Sequence, residues 1–235
     1  MTVAAPDPRW KDLYRLGAIA CILLAAAIPL AIIAYFIWPY TPGIRSVAEI
    51  FTSLQTDRLA GLMSLDLSVL ILEPLAILQT LALYAALKKV NESLTLIALV
   101  LGAMGTLLWL TARPLVEMTY LSGQYAAATT EASRAQYLAA GEALHALFNG
   151  TAWLLSQFLI AASSTISDLL MLKTQFFHKW TAYTGLALAI PGFAFWMPTI
   201  GMYLSLFGTL FGTAWFILLA RDFVRMGWFR PSATT

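Results

Sequence analysis

Two carboxylic acids, Asp66 and Glu73, stand in the otherwise apolar stretch SLDLSVLILEPLAIL over 64–78. They are seven residues apart, which on a helix is two turns, ~10 Å along the axis and one shared face. Pro74 follows at once and leaves the Leu70 carbonyl without its usual donor, so a kink is expected there. An ionisable group inside hydrocarbon costs about 3 kcal/mol or more on insertion scales, and it normally turns inward to a partner. Candidate partners lie elsewhere at helical spacing. Arg113 and Glu117 are four apart, and Glu142, His145 and Asn149 follow at steps of three and four. The spacing predicts one polar cluster of Asp66, Arg113, Glu117, Glu142, His145 and Asn149, with Glu73 beneath it.

Such a set could do several kinds of chemistry. It could hold the polar head of an amphiphilic ligand, or pass protons through Glu73 and His145. A histidine among carboxylates could hold a divalent metal, but no HExxH is present and no metal ligands are assigned. The same groups could form an internal salt-bridge network that fixes helix register, with Arg113 the counter-ion of Glu117 and Asp66. Other chemistry has no signature: there is no phosphate-binding loop, GxGxxG, GxSxG or CxxC, and no cofactor is assigned. No lysine stands mid-span to carry a retinal Schiff base. Asp168, close to Lys173, reads as a surface pair at a helix end, and His178 reads as interfacial.

These residues need elements to position them, and composition dictates which. Of 235 residues 60% are hydrophobic and 11% charged, against about 25% charged in soluble domains. Several apolar windows approach 20 residues, enough to cross a hydrocarbon core of ~30 Å. The expected fold is all-α, a polytopic membrane protein. Six spans are placed at about 16–38, 59–87, 94–112, 145–172, 180–197 and 200–220, in a single transmembrane domain. Trp38-Pro39-Tyr40 stops the first, Lys88-Lys89 ends the second, and Pro198 separates the last two.

The apolar run 16–38 continues eleven residues past Ala25-Ala26-Ala27, too long for a cleaved signal peptide, so the first span is expected to stay. GAIAC at 17–21 resembles a lipoprotein box but precedes the hydrophobic core, and that reading is rejected. With the N-terminus inside, the inner segments hold ten Lys and Arg and the outer ones four: Arg45, Arg58, Arg113 and Arg134. That bias predicts both termini in the cytoplasm, and the chain is expected in an inner membrane of bacterial type. The net charge of +2 gives no reason to expect nucleic acid, and the single cysteine, Cys21, excludes an internal disulfide.

Two outer segments have helical character. In 41–58, Ile44, Val47, Ile50, Phe51 and Leu54 recur at helical spacing, predicting an amphipathic helix at the membrane interface. In 128–150 helix formers run without a breaker before Gly141. The fourth span is therefore expected to begin outside, and at roughly 65 Å from 130 to 172 it should break near Gly141 or Gly150. Gly201, Ser205, Gly208 and Gly212 form a small-residue stripe for close helix packing, within the bundle or across a dimer. Gly102 and Gly105 read the same way.

The stretches RLGAIACILLAAAIPLA, LALYAALKKVNESLTLIALVLGAMG and DLLMLKTQFFHKWTAYTGLALAI resemble an uncharacterised bacterial family of six-span integral membrane proteins, a domain-of-unknown-function family. The resemblance implies the six-span fold and supplies no catalytic residues. Three functions stay open: ligand binding or proton-linked transport through the outer polar cluster; a non-catalytic accessory or scaffold subunit of a membrane complex; and a metal-dependent intramembrane enzyme. The expected partners are the lipid bilayer, an amphiphilic ligand, and a second copy or a membrane-complex subunit.

Overall fold

A computed structural model of the chain describes residues 6–37, 45–148, 150–197 and 200–228. Trp38-Pro39-Tyr40, Asn149 and Pro198 lie outside the described residues. The described residues form helices: α1 (Lys11–Ile37), α2 (Val47–Thr56), α3 (Arg58–Met63), α4 (Leu67–Leu72), α5 (Pro74–Leu87), α6 (Glu92–Thr111), α7 (Leu115–Ala127), α8 (Glu131–Phe148), α9 (Thr151–Met171), α10 (Lys179–Ala194) and α11 (Ile200–Trp228). Among the described residues, four stretches are long and apolar enough to cross a membrane: Pro8–Ile33, Leu70–Leu87, Glu92–Ala127 and Glu131–Met171. The chain is a multi-pass, all-helical membrane protein. Large apolar side chains such as Leu30, Phe36, Ile71 and Leu210 are more than 60% exposed, as a lipid-facing surface requires.

The chain forms two compact units. The first comprises Met1–Pro29, Leu72–Leu107 and Leu155–Thr235; the second comprises Leu30–Ile71 and Leu108–Leu154. The first unit is packed through small residues. A Cβ on Gly17 would strike Ala82, one on Gly102 would lie 2.8 Å from Ser163 Oγ, and one on Gly105 would lie 2.7 Å from Ile160. Backbones thus approach closely, and Ser163 uses the proximity to donate to the Ala98 carbonyl at 2.6 Å. This is the packing expected where lipid removes the hydrophobic drive between helices. On α11, Gly208 meets Pro191, and Gly212 meets Ile28 and Leu188. Those two members of the glycine stripe pack inside the first unit; the surroundings of Gly201 and Ser205 lie outside the described residues.

The second unit is built round α2. Ser46 caps it with a capping box: Ser46 Oγ accepts from the Glu49 amide, and the Ser46 amide donates to Glu49 Oε2 at 2.7 Å. Val47, Ile50, Phe51 and Leu54 are at most 5% exposed. They pack with Leu65, Leu115, Met118 and Phe148. The apolar face read from the sequence is present, and protein side chains cover it. Gly141 in α8 makes this possible, since a Cβ there would lie 2.6 Å from Phe51 Cζ and 2.7 Å from Val47 Cγ1.

Two boundaries differ from the sequence reading. The segment 59–87 is interrupted at Ser64–Asp66, while at Glu73, where α4 meets α5 before Pro74, the backbone stays helical. Beyond α6, a further helix α7 starts after Pro114 where no element was expected. The long segment 130–172 breaks at Gly150, while Gly141 remains helical.

Candidate functional site

The site begins with the backbone at Asp66. Helix α3 ends at Met63, a turn carries the chain over Ser64 and Leu65, and Asp66 takes φ +70° before α4 starts at Leu67. Among non-glycine residues the left-handed region is best tolerated by Asn and Asp. The turn is sealed locally, because Ser64 Oγ donates to the Gly61 carbonyl at 2.7 Å and the Asp66 amide donates to the Met63 carbonyl at 3.1 Å.

Arg113 meets this turn from another break. Helix α6 ends at Thr111 and α7 begins at Leu115, so Arg113 and Pro114 lie in neither helix. Arg113 Nε donates to Asp66 Oδ2 at 3.0 Å, with the two side chains 2% and 4% exposed. Arg113 Nη1 donates to the Phe148 carbonyl at 2.7 Å. That bond falls on the last residue of α8, where carbonyls have no intrahelical donor. The guanidinium carbon also lies 4.2 Å from the centre of the Phe148 ring, a cation–π contact. One arginine therefore ties together the α3–α4 turn, the α6–α7 break and the end of α8. His145, one turn before Phe148, is 8% exposed with its ring edge-on to Phe148 at 6.3 Å.

The other predicted members stand elsewhere. Glu117 is exposed on the first turn of α7. Its four-residue spacing from Arg113 spans the Pro114 break, so no common helix face exists, and its place in the cluster is corrected. Glu142 is also exposed and is corrected likewise. The buried face of α8 runs through Gly141, His145 and Phe148, which leaves Glu142 turned off it. Glu73 is half-buried at the start of α5 and belongs to the first unit by chain position. Asn149 lies outside the described residues. Among the described residues no three His, Cys, Asp or Glu side chains converge as metal ligands would.

Asp168 and Asp222 are further buried acids that were not expected. Asp168 is fully buried, not a surface partner of Lys173, which is exposed beyond the end of α9 at Met171. Its Oδ1 accepts from Trp215 Nε1 at 3.2 Å, its Oδ2 has no hydrogen-bond partner among the described residues, and the carboxyl presses on Gly185 of α10. Asp222, also fully buried, caps the start of α10: it accepts from the His178 amide at 3.1 Å, Thr181 Oγ1 at 2.6 Å and the Arg221 guanidinium at 3.1 Å. The sequence signal for Asp168 was its place among small polar residues, with Ser164 and Thr165 four and three positions before it on the same helix face. His178 is exposed, and its ring nitrogen accepts from the Trp180 amide.

Comparison of the chain with protein-family models, with curated proteins and with solved structures found no match. The arrangement of side chains is therefore the basis for any functional reading.

Proposed function

We propose that this protein crosses the membrane six times with both termini in the cytoplasm, and that it binds a small or amphiphilic ligand, or moves one with protons, through its interrupted second span. The observation that carries this reading is the break of the 59–87 segment at Asp66, which leaves the helix with φ +70°, followed one span-segment later by the acid Glu73, set in helical backbone just before Pro74. Non-helical backbone at membrane depth is tolerated only where protein buries it or it lines a cavity, and broken helices recur at transporter binding sites. In this reading Arg113 is the anion-recognising group and Asp66 its resident counter-ion. An incoming carboxylate or phosphate would displace Asp66, which frees the α3–α4 turn; Glu73, in the first unit, is a separate candidate for proton exchange. The test is purified protein in liposomes loaded with a pH-sensitive dye under an imposed pH gradient. Wild type should collapse the gradient faster than protein-free liposomes, and Glu73→Gln should slow it while remaining folded. Equal rates for wild type and protein-free liposomes would remove the proton-linked role.

A second reading, a non-catalytic subunit of a membrane complex, has its own support. Arg113 spends its donors on Asp66 and Phe148 within the same unit, and both charged side chains are sealed from solvent. A pair closed in this way presents nothing to a ligand and serves as a clasp. Purification in mild detergent separates the readings: a reproducible second protein supports the subunit, and a lone monomer counts against it.

A further inference from the structure

The first unit carries a groove between α1 and α11, about 490 Å³ in volume. Ala25 and Ala220, 8% and 5% exposed, form its floor, while Ile22 and Ile217, more than half exposed, rise as walls. Ala26 and Val224 line it as well, and Arg221 stands between Ile217 and Val224 along α11. The depression exists because alanines face each other where the neighbouring positions are isoleucine. The two helices run antiparallel there, since Arg15 near the start of α1 donates from Nε to the Gly227 carbonyl near the end of α11 at 3.0 Å. Moving inward from that level, the groove meets Val224 first, then Arg221, with Ile217 and Ala26 deeper.

The polar end of the groove is cationic. Arg221 and Arg225 are four apart, one above the other on α11. Asp222 Oδ1 accepts from Nε and Nη2 of Arg221, which leaves its Nη1 donors for a second acceptor, and the side chain is 40% exposed. Two arginines against one buried aspartate leave a single positive charge at the mouth. At the same helix ends Arg15 stacks on the Trp228 ring at 5.3 Å, an aromatic–basic pairing suited to the headgroup layer.

We propose that this groove binds one anionic glycerophospholipid, with an acyl chain lying over Ala25 and Ala220 and the phosphate held by Arg221 and Arg225. Guanidinium recognises phosphate through paired, charge-assisted bonds, and basic pockets between membrane helices hold anionic headgroups. An apolar trough ending in surplus positive charge matches an acyl chain ending in a phosphate. The site lies wholly in the first unit and uses neither Asp66 nor Arg113, so it stands or falls separately from the function proposed above.

The test uses the delipidated full chain in detergent, with phosphatidylglycerol, phosphatidylcholine and inorganic phosphate as probes, read by native mass spectrometry. Ala26→Phe fills the groove from an exposed position, and Arg225→Gln removes an exposed cation. Phosphatidylglycerol should bind about tenfold more tightly than phosphatidylcholine, the scale of one charge-assisted contact. Ala26→Phe should abolish binding of both lipids, Arg225→Gln should weaken phosphatidylglycerol more than phosphatidylcholine, whose choline cation already offsets its phosphate, and millimolar phosphate should not compete. Equal binding of the two lipids, undiminished binding by folded Ala26→Phe, or competition by free phosphate would overturn the proposal. If Ala26→Phe fails to fold, Arg225→Gln decides alone: unchanged lipid selectivity in that variant rejects the site.

Discussion

Replacing Gly185 with alanine should destabilise the first unit out of proportion to one methyl group. The added carbon would be driven into the carboxyl of Asp168, and that carboxyl cannot retreat freely because Trp215 Nε1 holds its Oδ1 at 3.2 Å. Overpacking of this kind costs about 1–3 kcal/mol. Breaking the Trp215 bond leaves a buried indole donor unsatisfied for about 1–3 kcal/mol more. Alanine returns about 1 kcal/mol through its better helix propensity, so the net loss should be about 1–5 kcal/mol. At about 2–4 °C per kcal/mol for a chain of this size, the melting temperature should fall by several degrees. The protein supplies its own reporter: Cys21 is the single cysteine and is buried in the core of the first unit. A thiol-reactive fluorogenic dye therefore reads unfolding of that unit. Asp168→Ala alone should also destabilise, by orphaning Trp215, but in the Gly185→Ala background it should cost less, because it clears the clash. Gly185→Ala with wild-type stability, or strict additivity of the two substitutions, would refute the packing described for α9, α10 and α11.

Two further outcomes follow from the second unit. Gly141→Ala sets a methyl against Phe51 and Val47 and should loosen α2 from α8 by about 1–3 kcal/mol, seen as faster amide exchange over 47–56. Val47→Ala should partly restore it. The Ser46 backbone amide, followed by its hydroxyl, holds the Glu49 carboxyl below its ordinary value. Glu49 therefore contributes stability that is full above the ordinary glutamate pKa, about 4.3, and is lost as pH falls through its lowered value. Wild type and Glu49→Gln should converge in stability in acid, whereas a gap that persists unchanged there would contradict the capping box.

Much of the architecture was legible because membrane helices announce themselves by length and composition. The apolar face of α2 and the α4–α5 boundary before Pro74 were readable because periodicity and proline act locally. The site was only half legible. Asp66 and Arg113 met because both are too costly to leave in hydrocarbon and each sits at a chain break that frees it to turn inward. Glu117 and Glu142 were misplaced because helical spacing fixes which residues share a face but not which face a neighbour covers. The Pro114 break and the Gly141–His145–Phe148 contact decided that. Asp168 was misread because Lys173 is near in sequence, while Trp215 is 47 residues away. A long-range partner leaves no mark on local spacing.

The costly charges Asp66 and Arg113 turn toward each other inside protein, and a double-mutant cycle on the pair measures that coupling. With Cys21→Ala and a reporter cysteine at Ala112, 5% exposed in the second unit, unfolding would be followed for Asp66→Asn, Arg113→Met and the pair. Asparagine tolerates the backbone at φ +70°, so that substitution removes the charge alone. Arg113→Met should cost about 3–5 kcal/mol by stranding a buried carboxylate, and the double variant should cost far less than the sum of its parts. Additive losses, with no coupling between the two positions, would show that these side chains do not meet.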